Sequence, residues 1–225
     1  MHSILTVASP VARPMFTTVD ALRAELGSLL TVDDAVLETK IQEASGDIQL
    51  AVGFRVPRED ATETFWHDNL AVLRWGVPRR ESGEPLFLRR KNVTAITSIT
   101  LDDDVLDPSE YRLDPDAGTV YRFDASSGYP YPWIFSKSIV VAHTAGYLLP
   151  PDPDADLPPA IESCTKKLVK SFCLNLSRDQ MLRTEAVPGV MEFGYWVGTV
   201  GDPEQLPAEI LAELALVRRP RFAVA

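Results

Sequence analysis

The stretch from Ile139 to Ile161, IVVAHTAGYLLPPDPDADLPPAI, contains the change from β to α structure in this chain. Its first residues, Ile139–Thr144, are rich in β-branched side chains and predict a strand. The polar, proline-dense segment Pro150–Pro159 marks the exit from the β region. Pro158 and Pro159 suit the first turn of a helix, where their missing N–H groups would have no intrahelical partner anyway. The stretch therefore predicts a β region followed by a helical one.

Two helices are predicted after this point. In the first, three lysines at positions 166, 167 and 170 lie opposite an apolar side formed by Ile161, Cys164, Leu168, Phe172 and Leu176. The second is predicted over Asp202–Arg219, with Pro207 in an early turn and Pro220 ending it. Its apolar face is Leu206, Ile210, Leu214 and Val217.

N-terminal to this stretch, the spacing of apolar residues indicates several strands, which are themselves preceded by two helices. Thr17 begins a short helix that Gly27 can close, and Thr31 is the predicted N-cap of a second helix that ends at Gly53. The loop Asp114–Gly118 predicts a hairpin, because its glycine can take positive φ. The strand predictions before Ile139 are Thr64–His67, Leu86–Leu88, Val93–Leu101, Tyr111–Leu113 and Thr119–Phe123.

The predicted fold class is α+β: a small bundle of about four helices with an antiparallel β region inserted between the second and third long helices. Residues 1–16 carry two prolines and no usable period, so they are predicted to be an N-terminal arm. The remaining divisions are a helical core over 17–57 and 151–219, a β-rich insertion over 58–150, and a C-terminal tail over 220–225.

Composition restricts the function. The chain has 225 residues, of which 45% are hydrophobic and 24% charged, as in ordinary soluble proteins. Its net charge of −10 argues against a protein that coats nucleic acid with its whole surface. There is no apolar run long enough for a membrane span and no signal peptide pattern, so the expected compartment is the cytoplasm and no membrane partner is expected.

Catalytic, metal and cofactor motifs are not found. His67 and His143 have no second ligand at metal-site spacing, and His143 is predicted to be a satisfied packing residue. Cys164 and Cys173 fall within helical periodicity on opposite faces, which predicts buried, unpaired thiols. The acidic run Asp102–Asp104 with Asp107 lacks the glycine and closing glutamate of a calcium loop and predicts a solvated turn. No catalytic residue, metal or cofactor is therefore predicted.

The sequence leaves two alternative roles for each of two further sets of residues. The basic residues Arg89 and Arg90 either guard a strand edge or face a partner. The glycine-interrupted apolar segment Val190–Val197 is a strand or a folded loop, packed either in the core or against another subunit. The candidates for contacts between subunits are Phe193, Tyr195, Trp196, Arg89 and Arg90.

Several short motifs follow one another along the chain. Leu37-Glu-x-x-Ile-x-x-Ala44 lies in the second helix, and Tyr111-Arg-Leu-Asp is followed by Gly118-Thr-Val-Tyr. A strand and an Ala-Gly-Tyr147 turn precede Leu157-Pro-Pro-Ala-Ile161, and a final Leu-Pro-Ala-Glu-Ile helix ends in Arg-Arg-Pro-Arg221. In this order the motifs resemble the head-tail connector, or adaptor, proteins of long-tailed bacteriophages and gene transfer agents. The resemblance spans roughly residues 18 to 222, and its specificity comes from the order of the motifs.

The resemblance implies a non-enzymatic homo-oligomeric ring, usually of twelve copies, beneath the portal protein and above a tail-side stopper or tail terminator. Its helices would surround a channel through which duplex DNA passes without specific binding. It would be made in the host bacterial cytoplasm and act in the neck of the virion. The residues implied for portal binding are Leu214, Val217, Arg218, Arg219, Arg221 and Phe222.

A different class of function stays open as an alternative: a small enzyme or carbohydrate-binding module built on the β insertion. It would use His67, Asp68 or the aspartates near Asp103, with Trp66, Trp75 and Trp133 available for stacking on a ligand. Buried core aromatics are the competing interpretation of the tryptophans.

Overall fold

The computed structural model describes residues 2–26, 32–66, 85–115, 117–133, 138–176, 184–187, 191–194 and 206–217. The chain divides into two units, each made from two segments. Residues 1–11 and 57–147 form one, called here the sheet unit, and residues 12–56 and 148–225 form the other, called the helical unit. The class is mixed α+β with antiparallel sheets, as the sequence predicts.

The described strands form three antiparallel sheets. The largest has five strands in the order β1-β2-β8-β4-β5, a second has the order β3-β7-β6, and β9 pairs with β10. The strands are β1 (His2–Val7), β2 (Glu59–Trp66), β3 (Leu86–Phe87), β4 (Val93–Leu101), β5 (Asp104–Val105), β6 (Tyr111–Asp114), β7 (Thr119–Arg122), β8 (Ser138–Ala145), β9 (Thr184–Val187) and β10 (Met191–Gly194).

The sheet unit has an apolar core because buried side chains alternate with less buried ones along its central strands. Along β8 every second residue is buried, from Ile139 through His143 to Ala145. The neighbouring strand β2 alternates in the same way. Members of this core are Phe65, Leu86, Leu88, Val93, Ile99, Leu106, Val120, Trp133, Ile139, Val141 and Ala145.

Two hairpins show how turn chemistry fixes register. The predicted hairpin is confirmed: β6 pairs with β7, and Gly118, at φ 65°, donates its N–H to Asp114 O at 2.9 Å. A second hairpin, between β4 and β5, turns through Asp102 and Asp103 at φ 48° and 78°. Aspartate is among the few non-glycine residues that tolerate this left-handed region. The acidic run is therefore an exposed turn, as predicted.

The prediction that residues 1–16 form an arm is wrong, because the described residues of this segment pair and pack within the chain. Strand β1 pairs with β2 in continuous register from His2–Trp66 to Val7–Ala61. Phe16 is fully buried in the helical unit and donates its N–H to Ser45 Oγ at 3.0 Å. Strand β1 has no clean alternation of polar and apolar residues, so its place at a sheet edge comes from its long-range partner.

The helical unit is built around α2 (Asp34–Val52), which packs against α1 (Val19–Leu26), α3 (Pro159–Leu176) and α4 (Ala208–Leu214). Its buried residues follow helical spacing and include Leu22, Leu37, Ile41, Ile48, Ile161, Cys164, Leu168, Ile210 and Leu214. Of the described helices, none is long and apolar enough to cross a bilayer.

Helix boundaries differ from the predictions by a few residues. Gly53 is the C-cap of α2 at φ 76°, as predicted, whereas the N-cap is Asp33 and Thr31 lies outside the described residues. Helix α4 begins only after Pro207, whose ring cannot donate a hydrogen bond. Of the segment Val190–Val197, the described part is strand β10.

Candidate functional site

The C-terminal helix α4 carries the described part of the predicted portal-binding segment. Leu214 is a predicted portal-binding residue, but it is 1% exposed and belongs to the core of the helical unit. The prediction that Leu214 contacts the portal is wrong, because its side chain continues the buried spacing of Leu206 and Ile210. Val217 is half-buried and donates its N–H to Leu214 O at 3.0 Å, which closes the last turn. Arg218, Arg219, Arg221 and Phe222 lie outside the described residues.

Leu216 lies within the stretch from Leu214 to Phe222 that is predicted to contact the portal, but the sequence does not single it out. It is 88% exposed, the highest value among the exposed large apolar side chains of the described residues. The available signal was its position off the stripe of Leu206, Ile210 and Leu214, two residues before a segment with three arginines in four residues. An apolar side chain held in solvent beside a basic segment is typical of a contact point for another protein.

An ion pair and a thiol connect α4 to α3. Lys167 Nζ lies 2.5 Å from Glu213 Oε2, and this hydrogen bond lowers the pKa of Glu213. The Cys164 thiol donates to Ile210 O at 3.8 Å. Burial, together with the nearby Glu213 carboxylate, raises the pKa of Cys164 to about 12. Cys164 is therefore a protonated packing residue, and both cysteines are free and buried, as predicted.

Arg90 is not a surface residue. It is 2% exposed, and its Nη1 donates to Glu59 Oε2 at 2.6 Å. Its Nη2 donates to the carbonyls of Pro57 and Ala145 at 2.7 and 2.9 Å. The proposal that Arg90 contacts another subunit is therefore wrong, because its guanidinium is committed to the interior of the sheet unit.

The other candidates for contacts between subunits are less completely described. Arg89 keeps a half-exposed side chain, and its backbone N–H donates to the buried Glu63 Oε2 at 2.9 Å. Phe193 lies in β10, while Tyr195 and Trp196 lie outside the described residues. The role of Arg89 and of these three aromatic residues stays a prediction.

A cluster of aromatic residues is exposed on the small sheet β3-β7-β6. Phe87 on β3 and Tyr121 on β7 are exposed, as are Tyr129 and Tyr131 just after β7. The Arg112 guanidinium lies 4.9 Å from the centre of the Phe123 ring. Aromatic residues and arginine are enriched at protein interfaces, so this cluster is a second candidate contact surface.

The residues of the alternative enzyme or carbohydrate-binding hypothesis are dispersed or outside the described part. His67, Asp68 and Trp75 are outside it, Trp133 is buried in the core, and Asp103 lies in the exposed β4–β5 turn. Among the described side chains, no three His, Cys, Asp or Glu residues are arranged to hold a metal ion.

His143 is buried but not fully satisfied. Its Nδ1 lies 3.3 Å from Val141 O, whereas Nε2 is buried without a hydrogen-bond partner. The prediction of a satisfied packing residue is therefore correct for burial and wrong for satisfaction. Burial, with a smaller contribution from the Arg90 charge, lowers the pKa of His143.

This environment predicts acid sensitivity. Since the folded-state pKa lies below the ordinary value of 6.5, the unfolded chain binds this proton more readily. The free energy of unfolding should fall as pH drops below 6.5, by at most about 1.4 kcal/mol per pH unit for one proton. We expect His143→Leu to match or exceed the wild-type stability at pH 7 and to lose less of it by pH 5. Urea unfolding at both pH values measures this, and equal losses in the two proteins would contradict it.

The fold is similar to that of chains in solved structures of a gene transfer agent particle and its neck. In the neck of a native gene transfer agent particle with C12 symmetry, one chain matches with a TM-score of 0.56 and 17% identity, covering 99% of this chain and 98% of that one. A chain from the neck of the empty particle with C6 symmetry matches with a TM-score of 0.51 and 19% identity, over the same shares of both chains.

A chain of the native gene transfer agent virion matches with a TM-score of 0.54 and 17% identity, again over 99% of this chain and 98% of that one. At these identities the likeness is one of fold, and at that level the resemblance to head-tail connectors is confirmed. No protein-family model matches this chain, and no curated protein matches its sequence significantly.

Proposed function

We propose that this protein is a structural, non-enzymatic head-to-tail adaptor. Copies of it form a ring under the portal, usually of twelve subunits, which joins the DNA-filled head to the tail or a stopper and lines the DNA channel. The protein is made in the host bacterial cytoplasm and acts in the neck of the virion.

One observation carries this proposal: the fold is shared from end to end with a chain of a particle neck. The match covers 99% of this chain and 98% of the other, so both units and their order along the sequence take part. The C12 and C6 symmetries of those necks support a cyclic arrangement of copies.

The architecture supports particular roles for the two units. In this proposal the four described helices belong to a bundle that forms the ring wall. The sheet unit, made of β1 and of the segment between α2 and α3, contacts neighbours. The net charge of −10 per chain suits a channel that must let DNA slide, since each phosphate contact would add affinity and resistance. Duplex DNA is then a passenger, and the channel-facing surface is acidic or neutral.

The portal contact is assigned to the end of α4 and the basic residues after it. Leu216 and Val217 supply apolar contact, Phe222 an anchor, and Arg218, Arg219 and Arg221 charge-assisted hydrogen bonds.

Portal binding tests the proposed function. Mass photometry of the full chain mixed with purified portal rings of its own particle should show a complex heavier than the portal by several copies of 24.9 kDa. Without the portal, the protein should form smaller species, and their mass should depend on the protein concentration. Failure to bind the portal across a range of salt concentrations would contradict the proposal.

Two neighbouring leucines separate binding from folding. Leu216→Ala should change the free energy of unfolding by less than about 0.5 kcal/mol, because the side chain is in solvent, and weaken portal binding by about tenfold or more. Leu214→Ala is the matched control and should cost about 2–5 kcal/mol of stability, because it leaves a cavity in the core. Wild-type affinity of Leu216→Ala would exclude this residue from the contact.

A further inference from the structure

Among the described strands, β1 is the last of the five-stranded sheet, and its outer edge, called here the free edge, has no described strand beside it. Ala8 donates its N–H to Asp60 O at 3.3 Å, and Val7 stands opposite Ala61. In an antiparallel pair, hydrogen-bonded residues alternate along the strand. The even-numbered residues of β1 are therefore bonded to β2, and Ser3, Leu5 and Val7 direct their N–H and C=O groups away from it. No other described strand lies beside them.

This edge lacks the features that normally prevent pairing with another chain. Its sequence, HSILTV, contains no lysine and no proline, and its register with β2 runs without a bulge. At the opposite edge of the sheet, β4 has two register shifts, and β5 covers only its last two residues. Bulges twist a strand away from possible partners, so the β4–β5 edge is protected against pairing with another chain and the β1 edge is not.

The β1 edge is also held in place, and it carries one exposed apolar side chain. Ser3 Oγ donates to Glu63 Oε1 at 2.6 Å, and Glu63 is fully buried. Ile4, on the outer face, is 58% exposed, while Leu5 and Val7 are half-buried on the inner face. A strand added here would meet ordered backbone groups and apolar neighbours without a cost for ordering β1 itself.

We propose that the free edge of β1 is extended by a strand from a second copy of this chain, so that the sheet continues across the boundary between ring neighbours. This inference rests on the proposed function, in which every subunit has another copy beside it. Contacts in a ring are heterologous, so the edge meets a different segment of its neighbour. Pairing of β1 with another β1 would be isologous and would close a dimer.

Backbone amide exchange tests the pairing directly. In the full chain alone, hydrogen–deuterium exchange read at single residues should be fast at Ser3, Leu5 and Val7 and slow at Ile4 and Thr6. Assembly on purified portal rings should slow the first three amides about 100-fold or more and leave the other two slow.

The outcomes distinguish this inference from the proposed function. If the ring forms and the three amides exchange as in the free chain, the edge is unpaired, and the inference fails while the adaptor function stands. If no ring forms, both fail. A discrete dimer with the three amides protected would indicate β1–β1 pairing and would overturn the assignment to a ring neighbour.

A pair of proline variants provides an independent readout. Leu5→Pro removes an outward N–H and part of a half-buried apolar contact. It should lower the thermal midpoint of the free chain less than Thr6→Pro does, while it reduces ring formation about tenfold or more. Thr6→Pro is the control, because it removes a bond to β2 and should lower the thermal midpoint of the free chain. Rings of Leu5→Pro in wild-type yield would overturn the inference.

Discussion

Arg90→Ala is expected to lower the free energy of unfolding by about 3–5 kcal/mol. The substitution removes the cation that lies 2.6 Å from Glu59 and leaves that carboxylate in the interior of the sheet unit. It also removes the donor for the carbonyls of Pro57 and Ala145. An uncompensated buried charge is among the most destabilising changes that a single substitution can make.

The adjacent arginine supplies the matched control. Arg89 is half-exposed, and its Nε lies 3.7 Å from the buried Glu63. Glu63 also accepts hydrogen bonds from Ser3 Oγ and from the backbone N–H of Arg89, which the substitution leaves in place, so Arg89→Ala should be clearly less destabilising than Arg90→Ala. Urea unfolding followed by tryptophan fluorescence measures both variants, and a Glu59→Ala, Arg90→Ala double variant should be less destabilised than the sum of the single changes. If Arg90→Ala unfolds like the wild type, the buried pair does not stabilise the sheet unit.

Deletion of residues 218–225 is expected to weaken portal binding at least about 100-fold, because it removes three charge-assisted donors and an aromatic anchor. The free chain should keep its thermal midpoint, since Leu206, Ile210 and Leu214 still pack α4 into the helical unit. Mass photometry against purified portal rings measures the loss.

A charge variant separates the contributions within the deleted segment. Replacing Arg218, Arg219 and Arg221 together with glutamine keeps the length of the segment and Phe222. We expect this variant to lose part of the affinity and most of its dependence on salt. Undiminished binding of the deletion variant would show that the portal contact lies elsewhere, for example at the aromatic cluster of Phe87 and Tyr121.

Elements with a strong local signal could be predicted from the sequence. The β-branched run of β8, the prolines before α3 and the glycine at position 118 each act through the backbone of a few neighbouring residues. Gly53 ends α2 for the same reason, since its φ of 76° suits a residue without a Cβ.

Features set by long-range contacts could not be predicted in this way. Strand β1 is defined by β2, more than fifty positions later in the chain. Arg90 belongs to a basic run that looks like a solvated edge, and only its distance to Glu59 identifies it as an interior residue. At the C-terminus, helical spacing correctly made Leu214 part of an apolar stripe, but the stripe faces the core, and the exposed residue is Leu216.

Electron cryo-microscopy of the full chain bound to purified portal rings is the measurement that tests the central claim most directly. The account predicts a closed ring of copies coaxial with the portal, on its tail-facing side, with an opening wide enough for duplex DNA and walls built by the helical unit. Single copies scattered on the portal, or binding away from its axis, would contradict the account.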